Sequence, residues 1–249
     1  MIIALAATAL ALTQSASPTA KFEVASIKPS DPAVRGFRVQ STPGGRYIAS
    51  GVTVKFLIQA AYGVRDFQIL NAPAWTDAQH FDINAKGEES TANDQNVMSQ
   101  RLQDLLVERF QLKLAQETRE LPIYHLVVVK GGSKLKESTI DEDHRSMQTG
   151  RGRIIFKGAD MASLAVQLSQ QLGRTVLDQT GLTANYDFTL NWTPDTPAGP
   201  DGPKDPPGAD PNGPTLFTAL QETLGLKLES AKGPVEVLVI ASVEKPVEN

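Results

Sequence analysis

The chain has 249 residues, 41% of them apolar, and is long enough for one large domain or two of ordinary size. Its 24 basic and 28 acidic residues give a net charge of −4 without a basic run, which argues against a nucleic-acid-binding protein. Because cysteine is absent, disulfides, thiol nucleophiles, thiolate metal sites and a lipoprotein acceptor are excluded.

Residues 1–20 are predicted to be a secretory signal. The stretch Ile2–Leu12 is almost entirely apolar, and it is followed by small and polar residues. A basic start is missing, so a start further upstream and a buried helix remain alternatives. The stretch is too short to span a bilayer, which takes about 20 residues. We expect a periplasmic or secreted protein that is cleaved between Ala11 and Ala20 and has no membrane span in its mature form.

A sequence pattern near residue 45 returns at an offset of 107 residues. In each copy, two β-type runs flank a turn that contains glycine, at 37–50 and again at 145–157, which predicts a β-hairpin. The identical pairs in the ungapped alignment are Arg38 and Arg145, Thr42 and Thr149, Gly45 and Gly152, Arg46 and Arg153, Ile48 and Ile155, Gly51 and Gly158, and Leu57 and Leu164.

Each hairpin leads into a predicted helix, at 52–63 and at 160–173. Thr53 and Asp160 are expected as N-caps, and a glycine ends each helix. The terminal glycines are Gly63 and Gly173. The apolar stripe of the second helix, expected to face the core, consists of Met161, Leu164, Ala165, Leu168 and Leu172.

Further strands are predicted in both copies. The order continues with two short strands, a helix that runs into a strand, and a last strand. The predicted strands lie at 66–70 and 80–86 in the first copy and at 174–180 and 186–192 in the second; the helix–strand segments are 102–116 and 216–230, and the last strands 122–129 and 234–241. We therefore expect an α+β fold of two tandem related modules, each about ββ-α-ββ-α-ββ, with mostly antiparallel or mixed sheet packed on helices.

The modules are assigned to residues 21–140 and 141–249, with the boundary in the polar segment 136–144. Residues 194–214 are rich in proline and glycine, a composition that is incompatible with a helix or a sheet. We interpret this segment as an extended loop inserted into the second module.

Residues that could carry chemistry are few, and no catalytic residue, metal site or cofactor is predicted. His80 with Asp82, and the acidic run before His144, resemble metal ligands, but a solvent-facing position is favoured for both. Ser133 with Lys136 fits a serine–lysine nucleophile pattern but lacks the motif that accompanies it.

The segment 178–181 resembles an aspartic-protease loop only if Gln179 is ignored. Arg46 and Arg153, the repeated charges beside the hairpin turns, are the candidates for ligand binding. A structural role across the strands is favoured for both.

Segments 22–30, 173–195 and 216–249 resemble, in order, the hallmark segments of a soil-associated family of uncharacterised proteins expanded in Acidobacteria. The resemblance implies an exported protein, and one related to domains that are also attached to BlaR-type membrane metallopeptidases. The second half is similar to the secretin and TonB short N-terminal domain, which implies an α+β module used for periplasmic protein contacts.

The function expected from the sequence is that of a non-enzymatic binding or interaction module in the cell envelope. Its partner would be a protein, a peptide or an envelope ligand, and exposed strand edges would accept an added strand. Two alternatives remain: an extracytoplasmic sensor that works with a membrane peptidase, and a cell-envelope hydrolase. The oligomeric state is open.

Overall fold

The computed structural model describes residues 21–32, 36–42, 45–87, 95–194 and 213–246. The predicted signal at 1–20 and most of the loop predicted at 194–214 lie outside these residues.

By its contacts, the chain divides into two units. Unit 1 comprises Met1–Val64, Ile69–Ala115 and Val239–Asn249, and unit 2 comprises Arg65–Gln68 and Gln116–Leu238. Neither unit is a continuous stretch of sequence, whereas the predicted modules are.

Helices and strands alternate irregularly along the chain, and the predicted α+β class is confirmed. The described strands are β1 (Phe22–Pro29), β2 (Arg38–Thr42), β3 (Arg46–Thr53), β4 (Ile69–Leu70), β5 (His80–Gly87), β6 (Lys113–Val128), β7 (Lys136–Glu137), β8 (Ser146–Gly150), β9 (Arg153–Ala159), β10 (Val176–Asp178), β11 (Tyr186–Asn191) and β12 (Leu226–Ser242). The described helices are α1 (Val54–Tyr62), α2 (Trp75–Ala78), α3 (Gln95–Phe110), α4 (Met161–Leu172) and α5 (Leu216–Ala219), which continues as a π-helical turn over Leu220–Leu224. No helix in the described ranges is both long enough and apolar enough to cross a membrane.

Unit 1 contains an antiparallel sheet of order β1-β5-β3-β2. Strand β5 alternates between exposed and buried residues, so that Phe81, Ile83 and Ala85 all point into the core. The ring of Phe81 meets Phe110 of α3 edge to face, with 5.5 Å between the ring centroids. The two-residue period thus fixes which face of the sheet receives the helices.

Unit 2 contains a second antiparallel sheet, of order β7-β11-β9-β8. In it β9 lies between β8 and β11, as β3 lies between β2 and β5 in unit 1. The predicted core stripe of α4 is confirmed, since Met161, Leu164, Ala165 and Leu168 are at most 4% exposed and Leu172 packs against the same cluster.

The caps predicted for α1 and α4 are confirmed. The backbone N–H of Phe56 donates to Thr53 Oγ1 (3.1 Å), and that of Ser163 donates to Asp160 Oδ1 (2.7 Å). The two helices end at glycines with left-handed backbones, Gly63 and Gly173.

The third sheet has the order β10-β6-β12-β4 and corrects one prediction. Where the sequence predicts two strands on either side of a proline, β6 and β12 each run on as a single strand. Pro122 and Pro234 lie within these strands and are exposed. A proline keeps a backbone φ that is close to extended and removes only one N–H donor, so the strand continues through it.

The short strands predicted at 66–70 and 174–180 are also corrected, because local hydrogen bonds turn the chain. Residues Asp66–Gln68 form a 3₁₀ turn in which the backbone N–H of Arg65 donates to Gln68 Oε1 (2.9 Å). After β10, Asp178 Oδ1 accepts the backbone N–H of Thr180 (2.9 Å), which closes a turn of the Asx type.

Candidate functional site

Unit 2 contains a cavity of about 670 Å³ beside α4. This volume lies within the usual range for small-molecule sites. The lining residues are Arg65, Arg145, Ser146, Met147, Thr149, Phe156, Lys157, Gly158, Ala159, Asp160, Ala162, Ser163, Val166, Gln167 and Gln170. In unit 1, a smaller cavity of about 350 Å³ lies beside α2. The larger cavity is the candidate site because it brings together charges from three separate segments.

One wall of the cavity is the β8–β9 hairpin. Ser146 pairs with Lys157 and Met147 pairs with Phe156, so two neighbouring rungs of the ladder contribute to the wall. The hairpin is closed by Gly152, whose φ is +68° and whose missing Cβ would lie 2.5 Å from the carbonyl oxygen of Trp192. Only glycine fits this turn.

Gly158 shapes the wall where β9 approaches α4. Its φ is +70°, and its backbone N–H donates to Asp187 Oδ1 (2.7 Å). A Cβ at this position would lie 2.9 Å from Arg145 Cγ. The side chain of Arg145 therefore packs across the bare backbone of Gly158, which sets its position at the cavity.

A face of α4 forms another part of the lining. Its lining residues follow the spacing i, i+1, i+4, i+5 and i+8, which places them on one side of the helix. They are Ala162, Ser163, Val166, Gln167 and Gln170. The helix thus has a core stripe and, apart from it, a mixed stripe that faces the cavity; in the latter Gln167 is 5% exposed.

The charge of the lining is positive. Arg65, Arg145 and Lys157 are cationic, and Asp160 is the only acid among the lining residues. Hydrogen bonds from Ser163 lower the pKa of Asp160, and the charge of Arg145 lowers it further. Since Asp160 is an N-cap, its carboxylate is already used by the start of α4.

Apolar surface lies next to these charges. Met147 and Val166 are 53% and 49% exposed, and Phe156, which pairs with Met147 in the ladder, also lines the cavity. Exposed apolar side chains beside cations suit a ligand that combines an apolar body with an anionic group.

Arg46 and Arg153, the candidates from the sequence, occupy matching places at the starts of β3 and β9. Both are exposed. Arg46 lies opposite Thr42 and Lys86, while Arg153 lies in register with residues 150 and 191. Neither is among the lining residues of the cavity, and a ligand-binding role for them stays a prediction.

The other polar candidates have local hydrogen-bonding roles. Asp82 Oδ1 accepts the backbone N–H of Gly51 (2.9 Å) and the hydroxyl of Ser30 (2.7 Å), and His80 beside it is exposed. Ser133 Oγ accepts the backbone N–H of Leu135 (3.1 Å). Within the described ranges, no three His, Asp or Glu side chains are grouped so as to hold a metal ion.

The sequence patterns described above do not predict the cavity, although the two segments aligned at the offset of 107 differ at one of its lining residues. At the offset of 107, Phe56 aligns with Ser163 and Phe37 with His144. In unit 1 the rings of Phe37 and Phe56 pack together, with 5.1 Å between their centroids. The aligned serine of unit 2 lines the cavity instead. The difference between two aromatic residues in the first segment and none at the aligned positions of the second is readable from the sequence.

A family model, described as protein of unknown function (DUF3738), matches residues 55–243. The chain belongs to this family. The prediction of an uncharacterised family is thereby confirmed, and the DUF3738 match includes the β8–β9 hairpin and α4, which form the cavity walls. No curated protein and no solved structure gives a match.

Proposed function

We propose that this DUF3738 protein is a non-enzymatic binding protein and that its ligand enters the cavity of unit 2. The observation that carries the proposal is the convergence of Arg65, Arg145 and Lys157 beside the exposed side chains of Met147 and Val166. The cations favour an anionic group through charge-assisted hydrogen bonds, and the apolar surface favours a hydrophobic body.

We also infer that the two units derive from a tandem duplication. Their sheets share one strand order, and the backbone N–H of Gly158 meets Asp187 as that of Gly51 meets Asp82. On this hypothesis one copy kept an aromatic pair at the aligned place, while the other lost it and acquired a binding cavity.

Export to the periplasm or the exterior is part of the proposal, and it rests on the pattern of residues 1–20. The resemblance to the secretin and TonB short N-terminal domain supports an envelope role. Mass spectrometry of the protein from a bacterial envelope fraction should find a new N-terminus between Ala11 and Ala20. An intact leader in a protein that stays in the cytoplasm would contradict export.

The binding proposal is tested with 8-anilinonaphthalene-1-sulfonate, a small anionic aromatic probe. We expect saturable binding of the probe to residues 21–249, with NMR amide shifts concentrated at 145–149 and 157–170. Ser163→Phe, which restores the residue of the first copy, should weaken binding about tenfold or more by filling the cavity.

A matched pair of substitutions separates the site from the rest of the surface. Val166 on α4 and Val107 on α3 are both helical and both 49% exposed. Val166→Asp should weaken probe binding about tenfold by placing a negative charge beside the anion, and Val107→Asp should leave it unchanged. Equal effects of the two substitutions, or shifts that lie elsewhere, would refute the cavity as the site.

A further inference from the structure

Strand β8 is both a wall of the cavity and an edge of its sheet. It stands last in the order β7-β11-β9-β8, and all five of its residues are exposed. In an antiparallel ladder, alternate residues of an edge strand direct their backbone N–H and C=O groups away from the paired strand. Beside the cavity, β8 therefore presents main-chain donors and acceptors on its outer side.

The composition of β8 does not protect this edge. Natural edge strands are commonly blunted by charged residues, by proline or by a bulge. The sequence Ser-Met-Gln-Thr-Gly has neither charge nor proline, and its register with β9 runs without a shift from Ser146 to Gly150. β8 is thus suited to accept an added strand.

The charges at the cavity indicate what such a strand would carry. Arg145 directly precedes β8, Lys157 pairs with its first residue, and Arg65 lines the same cavity. An acidic side chain on the added strand would enter this group of cations. Arg145 and Met147 stand two positions apart and so lie on the same face, which means that an acidic side chain beside Arg145 would place its neighbour two positions away beside Met147.

We propose that the ligand is an extended peptide segment with an acidic residue flanked at every second position by apolar residues. It adds to β8 as a further strand, and its carboxylate binds among Arg65, Arg145 and Lys157. This inference rests on the proposed function of the cavity and specifies the ligand class.

The probe for the test is the peptide Thr-Val-Thr-Glu-Thr-Val-Thr, capped at both termini and labelled with the uncharged fluorophore nitrobenzoxadiazole, so that glutamate is its only anionic group. Fluorescence polarisation with residues 21–249 should show binding about tenfold tighter than for the same peptide with lysine in place of glutamate, and tighter than with glutamine. Arg145→Glu should reverse the order of the glutamate and lysine peptides.

Strand addition has a signature of its own, because only alternate amides of an added strand bond to the edge. Two further peptides are N-methylated, one at the even and one at the odd positions. One of these methylated peptides should bind with about tenfold lower affinity, and the other should bind nearly as tightly as the unmethylated peptide. Val166→Asp should weaken the glutamate peptide, whereas Val107→Asp, the control, should not.

The outcomes separate this inference from the proposed function. If the anilinonaphthalene probe binds at the cavity but the peptides show no preference for glutamate, the peptide inference is wrong and the cavity remains a binding site. If the glutamate peptide is preferred and neither N-methylated peptide binds more weakly than the parent peptide, strand addition is wrong. If neither probe nor peptide binds, both proposals are overturned.

Discussion

At the scale of single residues, Tyr47 shows how burial sets a protonation state. Its side chain is 3% exposed, and its hydroxyl has no hydrogen-bond partner within the described part of the chain. Burial raises the pKa of Tyr47 to about 12, compared with about 10 for an unfolded tyrosine. The folded state holds the Tyr47 proton more tightly than the unfolded state does. The contribution of this group to the free energy of unfolding is therefore complete below pH 10 and decreases as the pH rises toward 12.

Replacement of Tyr47 by phenylalanine should remove this alkaline loss. At pH 11 the lost stability amounts to about 1.4 kcal/mol in the parent protein. At pH 8 the Tyr47→Phe variant should be as stable as the parent or up to about 1 kcal/mol more stable, since an unpaired buried hydroxyl is removed. Urea unfolding at both pH values measures the two differences. A variant with the same pH dependence as the parent would show that Tyr47 does not titrate as described.

At the scale of elements, three helices end at glycines with similar left-handed backbones but different surroundings. At Gly63 and Gly173 an added Cβ would meet no atom within 4 Å. At Gly225, after the π-helical turn, it would collide with the carbonyl oxygen of Gly132 and lie 3.0 Å from the backbone nitrogen of Lys134. The end of this helix is thus packed against a loop, whereas the other two ends are open.

Alanine substitutions at these glycines should differ accordingly. Gly63→Ala and Gly173→Ala should each cost about 1 kcal/mol, the strain of a left-handed alanine. Gly225→Ala should cost about 3 kcal/mol or more, because backbone atoms must move as well. Thermal and urea unfolding measure the series. Equal losses of stability at all three sites would mean that the loop at Gly132 moves to accommodate the added Cβ at no cost in free energy.

Elements with local determinants were predictable from the sequence. The helices α1 and α4 carry their own caps, Thr53 and Asp160, and their own terminal glycines, so a short window contains the information. The full length of the strands β6 and β12 was not predictable, because a proline within a short window of sequence disfavours the prediction of a strand. What keeps these strands continuous is pairing with neighbours that are distant in sequence.

The cavity is harder to predict from the sequence than these elements are. Its lining comes from Arg65, from the hairpin and from α4, segments that only the tertiary fold brings together. Ser163 aligns with Phe56, so the sequence shows a smaller residue at this place, but it does not show that Arg145 and Lys157 also line the cavity. Arg46 and Arg153 are the sequence candidates because they repeat beside the hairpin turns. Of the lining cations, Arg145 repeats with Arg38 but lies away from the turn, and Arg65 and Lys157 do not repeat.

At the scale of the whole molecule, the inferred duplication predicts equivalent roles for two aspartates. Asp82→Ala and Asp187→Ala each leave a glycine N–H without its acceptor, at Gly51 and Gly158 respectively. Each substitution should cost about 1–3 kcal/mol and speed hydrogen exchange at its own glycine. Asp82→Asn and Asp187→Asn, which keep an acceptor oxygen, should cost less. A large cost in one unit and none in the other would contradict equivalence.

The composition of the units also bears on the order in which they become complete. Unit 1 includes the segment that begins at Val239, whereas unit 2 ends at Leu238. During synthesis from the N-terminus, every residue of unit 2 therefore exists before unit 1 has all of its parts. Domains that are continuous in sequence tend to fold in the order of their synthesis. Here the unit that starts first is finished last, and a ribosome-bound chain that stops short of Val239 can complete only the later unit.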